Sequence, residues 1–148
     1  MSALDFPAVG DPDPIRVVFD TNVALALEVF ADPQLLPLRR CWDRGELTAI
    51  ADDETLAEFE RVLRYTELHL DEAAAAAAGA RYRQHCVIVA HGSSVQSALP
   101  KCRDPDDQKF LLLAERAGAG WLLTRDRALL ALRKSVRFRI AQPEMFTG

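Results

Sequence analysis

The hydrophobic pattern of this chain is organised around Ile15-Arg16-Val17-Val18-Phe19-Asp20-Thr21-Asn22, a β-branched and aromatic run that stops at an acid and two small polar residues. Such a run predicts a buried strand over about 15–20. Thr21 or Asn22 is placed to cap a helix through Val23-Ala24-Leu25-Ala26-Leu27-Glu28-Val29-Phe30. After Asp32-Pro33, the positions Leu35, Leu36, Leu38, Cys41 and Trp42 give a second helix a broad apolar face. Pro37 lies inside that face, so the helix is expected to begin only there, and Gly45 ends it. A second strand is predicted over 46–51, closed by Asp52-Asp53. Leu56, Phe59, Val62 and Leu63 then recur at helical spacing. The run Ala73 to Ala78 belongs to a further helix over 71–83, and alanine there needs no function beyond its helix propensity. A third strand is expected over 85–90, with a loop at Gly92-Ser93-Ser94. Asp104-Pro105-Asp106-Asp107 opens a helix that Gly118 and Gly120 stop. Trp121-Leu122-Leu123-Thr124 reads as a short buried strand, Arg127 to Lys134 as a helix, and Val136 to Ile140 as a last edge strand.

Strands and helices alternate from end to end, which predicts an α/β fold with a mostly parallel sheet covered by helices on both faces. The 148 residues favour one domain with a real core. Residues 1–14, with three Asp and three Pro, read as an irregular arm without the apolar core of a secretory leader. Cys41, Cys86 and Cys102 are odd in number and far apart, which suits a reducing cytosol rather than a disulfide framework. The apolar runs are broken by charge well short of a membrane span, so a cytoplasmic protein with no membrane association is expected. With 18 basic and 22 acidic side chains the net charge is −4, and overall charge does not announce a nucleic-acid binder.

Candidate chemistry lies in four acids that this layout would bring to one edge of the sheet: Asp20, Glu58, Asp107 and Asp126. Each has a local explanation. Asp20 suits a turn, and Thr55-Leu56-Ala57-Glu58 has capping-box spacing. Asp104-Pro105-Asp106-Asp107 is a well-formed helix opening, and Asp126 is placed as an N-cap. Together they point further, because carboxylates within a few ångströms raise one another's pKa unless a cation compensates. Mg²⁺ and Mn²⁺ prefer such oxygen ligands while keeping several waters, and can orient a phosphodiester and lower the pKa of water. His69, His85 and His91 lack zinc-ligand spacing and read as surface or packing residues.

In this order, Phe19-Asp20-Thr21-Asn22, Leu56-Ala57-Glu58-Phe59-Glu60-Arg61-Val62-Leu63, Asp104-Pro105-Asp106-Asp107-Gln108-Lys109-Phe110-Leu111 and Leu123-Thr124-Arg125-Asp126 resemble the PIN-domain family over residues 15–142. The likeness is greatest to the branch of toxins from toxin–antitoxin pairs, related to the VapC-type ribonucleases. The resemblance implies a three-layer α/β/α sandwich and an acidic quartet that binds Mg²⁺ or Mn²⁺ and cuts RNA. By it, Asp20, Glu58 and Asp126 match the first, second and fourth acids. Asp107 matches the third, standing seven residues before Ala114, and Asp104 belongs to the branch's pattern and could assist or replace Asp107. Thr21, Asn22 and Thr124 match polar neighbours of the acids. It also implies a cognate antitoxin protein and a homodimer.

An acidic pocket repels phosphate, so an RNA substrate needs positive charge nearby. Lys101, Arg103 and Lys109 flank the third acid, and Arg125 and Arg127 flank the fourth; Arg133, Lys134, Arg137 and Arg139 follow. Trp42, Tyr65, Tyr82 and Trp121 are candidates for base stacking, with Trp121 better read as core. A phosphatase using Asp20 as nucleophile would want an acid where Asn22 stands, and a receiver-type module would want a Lys where Thr124-Arg125-Asp126 stands. The remaining alternative is a catalytically weak RNA- or protein-binding module of the same fold.

Overall fold

A computed structural model of the chain describes residues 14–90 and 99–145. The irregular arm before Pro14, the loop at Gly92-Ser93-Ser94 and His91 lie outside the described residues. Five strands, β1 (Ile15–Phe19), β2 (Leu47–Ala51), β3 (Cys86–Ile88), β4 (Trp121–Leu123) and β5 (Arg139–Ala141), form one all-parallel sheet in the order β3-β2-β1-β4-β5. The helices are α1 (Thr21–Glu28), α2 (Leu36–Asp43), α3 (Asp53–Val62), α4 (Glu72–His85), α5 (Gln108–Arg116) and α6 (Arg127–Leu130). This is the expected α/β architecture. Among the described residues, no helix is long and apolar enough to cross a membrane.

The central strand explains the layering. Alternate residues of a strand point to opposite faces, so Val17 and Phe19 enter one core while Val18 enters the other. Ala49, Ala51, Trp121 and Leu123 join the first face and Ile50, Leu122 and Ile140 the second. Helices α1 to α4 cover the first, α5 and α6 the second. The alanine-rich helix α4 has a packing reason for its composition. Ala75, Ala78 and Gly79 are buried while their alanine neighbours are exposed. A Cβ on Gly79 would meet the side chains of Glu60 and Leu63 of α3 at 3.5 and 3.6 Å, so small residues let the two helices approach closely.

Several boundaries differ from the sequence pattern, each for a local reason. Helix α1 is capped by Asp20, not by Thr21 or Asn22: the Val23 amide donates to Asp20 Oδ1 at 2.9 Å. Helix α2 begins at Leu36 with Pro37 inside its first turn, where a missing N–H costs nothing. The capping box of α3 is formed by Asp52 and Thr55, not by Thr55 and Glu58. The Thr55 amide donates to Asp52 Oδ1 at 2.8 Å and the Asp52 amide to Thr55 Oγ1 at 3.1 Å. Helix α6 ends at Leu130 rather than Lys134, because Leu132, Arg133 and Ser135 turn back to carbonyls three residues earlier. The last strand is Arg139–Ala141, fixed by the Arg139 amide donating to Gly120 O at 2.9 Å. Gly45 and Gly118, at φ of +75° and +63°, end α2 and α5 where a side chain would be strained.

Asp52 does more than cap. Its carboxylate is buried and also meets Arg116 of α5 at 2.7 Å, tying the helical layers together around the edge of the sheet. Removing one partner of a buried pair leaves an uncompensated charge and typically costs about 3–5 kcal/mol. Asp52→Ala is therefore expected to lower unfolding stability by roughly that amount. Asp52→Asn keeps the cap and should isolate the ion-pair share. Urea denaturation of both variants checks this; a loss below about 1 kcal/mol for Asp52→Ala would place the pair among exposed salt bridges of little worth.

Candidate functional site

In open parallel sheets, ligands gather outside the carboxyl ends of the strands where the strand order reverses. Here the chain winds from β1 outward through β2 to β3, then jumps back to β4 and β5, so the reversal falls between β1 and β4. The register pairs Phe19 with Leu123, and the Asp20 amide donates to Leu123 O at 3.1 Å. Asp20 and Thr124 therefore stand side by side at the mouth of the sheet. A cleft of about 460 Å³ opens there, and its walls include Asp20, Thr21, Asn22, Glu58, Asp107 and Asp126. All four acids of the quartet, a hundred positions apart in sequence, share this one cavity.

Each acid is held by a named contact. Asp20 is buried, accepting from the Val23 amide through Oδ1 and from the Thr124 hydroxyl through Oδ2. Thr124, wholly buried, in turn accepts from the Asp126 amide at 2.9 Å, so one hydroxyl fixes the spacing between the first and fourth acids. Asp126 caps α6 by accepting from the Ala128 amide at 2.8 Å. Glu58 projects from the middle of α3, free of any capping duty. The Thr21 hydroxyl donates to its Oε2, and Lys109 Nζ lies 2.8 Å from its Oε1. Asp107 ends the short helical turn Pro105–Asp107 before α5 and shares a hydrogen bond with Asp126. Asp104 is exposed, caps that turn by accepting from the Asp106 amide at 3.0 Å, and is not among the residues that line the cleft.

Charge crowding shows in the titration of these groups. Burial, with Asp126 and Glu58 nearby, pushes the Asp20 carboxyl up to about 6 against the pull of its hydrogen bonds to Thr124 and Val23. Desolvation, the shared hydrogen bond and charge of Asp126, and the charges of Asp104 and Asp20 push Asp107 up to about 7.

A family model described as PIN domain matches residues 16–128, most of the chain. The chain belongs to the PIN-domain family. Among solved structures it is similar to PAE2754 from Pyrobaculum aerophilum, at 20% identity and a TM-score of 0.57, covering 86% of this chain and 83% of that one. That likeness is one of fold. No curated protein matches the sequence. PIN domains are typically nucleases, and they generally use divalent metals.

The donor set of this PIN domain fits a hard divalent ion: carboxylate and hydroxyl oxygens line the cleft, and no sulfur or imidazole does. Among the described residues no three acids, histidines or cysteines close into a ready chelate. The oxygens are instead held by Thr21, Thr124, Lys109 and each other. An ion that retains several waters needs only one or two carboxylates, and the raised Asp20 and Asp107 carboxyls mark where positive charge is wanted.

The basic residues divide. Lys101, Arg103 and Arg127 are exposed and make no ion pair among the described residues. Arg125 instead meets Asp32 at 2.8 Å and also Glu144, Arg139 lies over the Trp121 ring at 4.8 Å, and Lys109 is committed to Glu58. Of the aromatic candidates, Trp42, Tyr82 and Trp121 are core residues, and Tyr65 alone lines the cleft. The sequence reading missed Phe30, Leu25, Val62 and Leu68, which add apolar lining to the cleft, and Glu67, a further acid in that lining. Nothing in their local pattern distinguishes them from ordinary helix-face residues.

The raised carboxyls set a pH dependence. In the native state Asp20 and Asp107 keep their protons to about 6 and 7, whereas unfolded aspartates titrate near 3.8. Between these limits the native state binds more protons, so their contribution to stability is full below about 4 and is lost as pH rises through about 7. In chelator-treated protein the wild-type melting temperature is expected to fall relative to Asp107→Asn between pH 5 and pH 8. Melting curves that stay parallel across that range would contradict the crowding of these acids.

Proposed function

We propose that this PIN domain is a Mg²⁺- or Mn²⁺-dependent endoribonuclease that hydrolyses RNA phosphodiester bonds, and that it serves as the toxin of a toxin–antitoxin pair. The observation that carries the nuclease reading is the meeting of Asp20, Glu58, Asp107 and Asp126 in one cleft at the strand-order reversal, with two carboxyls raised by burial and then by neighbouring acids. A divalent ion, when bound, supplies charge opposite the scissile phosphate and acidifies a water. Asp20, Asp107 and Asp126 would hold it, with Glu58 as the ligand from α3, and Asp104 in reserve beside Asp107. Thr124 keeps Asp20 and Asp126 at fixed spacing, and Thr21 orients Glu58. Lys101, Arg103 and Arg127, exposed and without an ion pair among the described residues, would receive the RNA backbone, although none of them lines the acid cleft. The toxin role, with its cognate antitoxin, rests on the motif order described above, as does a homodimeric state, while a cytoplasmic location rests on the cysteine usage; a small DNA-binding protein encoded beside this chain would support the first.

Asp20→Asn separates chemistry from folding. Asparagine caps a helix as well as aspartate does, so the Val23 bond survives while the charge is lost. The variant is expected to unfold at or above the wild-type temperature at pH 8 and to lose Mg²⁺- or Mn²⁺-dependent cleavage of a labelled RNA by about a hundredfold or more. Undiminished cleavage by the folded variant would remove the quartet from the mechanism.

A further inference from the structure

Both oxygens of Glu58 are already occupied by the chain itself. Oε2 takes the Thr21 hydroxyl, and Oε1 takes the Lys109 ammonium at 2.8 Å. The pair is largely shielded, with 13% and 11% of the two side chains exposed. Arg61, the other cation near Glu58, is 4.0 Å away and mostly in water. Lys109 reaches Glu58 from the first turn of α5 across to the middle of α3, and its ammonium is further held by Asp106 O. The two donors on Glu58 differ in kind. A threonine hydroxyl can rotate and keep company with a ligated carboxylate, but an ammonium repels any cation that approaches the same oxygen.

We propose that Lys109 is a tethered counter-ion of the acid cleft: it neutralises Glu58 when no divalent ion is present, opposes the ion's arrival, and is freed for the RNA phosphate once the ion takes its place. This rests on the metal-dependent reading above and goes beyond it by giving Lys109 a positioning role that acts through Glu58. One cation replaces another at the carboxylate, a divalent ion for an ammonium, and the displaced ammonium faces the anionic substrate. A lysine suits it better than an arginine would, because its ammonium is a compact point charge on a flexible stem and makes no planar fork with the carboxylate. By linkage, ion and RNA backbone then favour each other's binding.

A strut between α3 and α5 would give the same picture in the ion-free protein, so the test is ion affinity. Mn²⁺ is titrated into chelator-cleared wild type, Lys109→Met and Lys109→Arg by calorimetry, with melting temperatures taken with and without Mn²⁺. The expected result is that Lys109→Met binds Mn²⁺ about tenfold tighter, melts lower than wild type without the ion, and gains more on adding it. Lys109→Arg, which keeps the charge, returns affinity toward wild type. Lys109→Gln serves if the methionine variant does not fold. Unchanged or weaker Mn²⁺ binding by the neutral variants, with wild type still binding, overturns the counter-ion role and leaves the nuclease reading standing. Failure of wild type itself to bind Mn²⁺ overturns both.

Discussion

The constraint on which this molecule turns is mutual repulsion among carboxylates gathered at the low-dielectric end of a buried sheet. Asp20 follows the central strand directly, where the two cores meet, and water cannot fully solvate it. Burial raises the Asp20 and Asp107 carboxyls, and neighbouring carboxylates add to it: Asp126 and Glu58 act on Asp20, and Asp126, Asp104 and Asp20 on Asp107. Such an arrangement lowers stability near neutral pH unless positive charge enters it. Lys109 provides some of that charge in the ion-free state. The cleft thus concentrates electrostatic cost where function is expected, whereas the buried Asp52 carboxylate is neutralised by Arg116 of α5.

Capping and chemistry are performed by the same side chains here. Asp20 and Asp126 each begin a helix, and the capping bond uses only one carboxylate oxygen. The cap fixes the side-chain rotamer, and the second oxygen of Asp20 takes the Thr124 hydroxyl. Thr124 then joins the two caps through one buried hydroxyl. Positioning by backbone amides explains how acids on different elements keep a common geometry without a dense network of side chains behind them.

The strand and helix pattern was legible because each element carries its own period: alternation in β1 and β2, apolar faces in α2, α3 and α5. The order of strands was not, since parallel pairing is decided by crossovers that leave no local mark. Overlapping signals misled where two residues competed for one role. Thr55 can serve as the first or the last residue of a capping box, and Asp52 claimed it, which freed Glu58 for the cleft. Thr21 and Asn22 are good caps, yet Asp20 lies one residue earlier and does the work. Lys109 reads along the chain as a phosphate contact beside the third acid, and only the packing of α5 against α3 turns it toward Glu58. The apolar wall of Phe30, Val62 and Leu68 comes from three segments and has no linear signature. The order of the four acids carried the resemblance to the PIN family, which the family model over residues 16–128 shows; the substrate and partner depend on surfaces that the order does not specify.

The central claim is that these acids form a single site for a hard cation. The most direct measurement is anomalous scattering from crystals of the protein grown or soaked with Mn²⁺. The account predicts a peak among the carboxylates of Asp20, Asp107 and Asp126, with the Lys109 ammonium withdrawn from Glu58. Full Mn²⁺ occupancy elsewhere on the surface, with the cleft left to Lys109 and protonated aspartates, would contradict it.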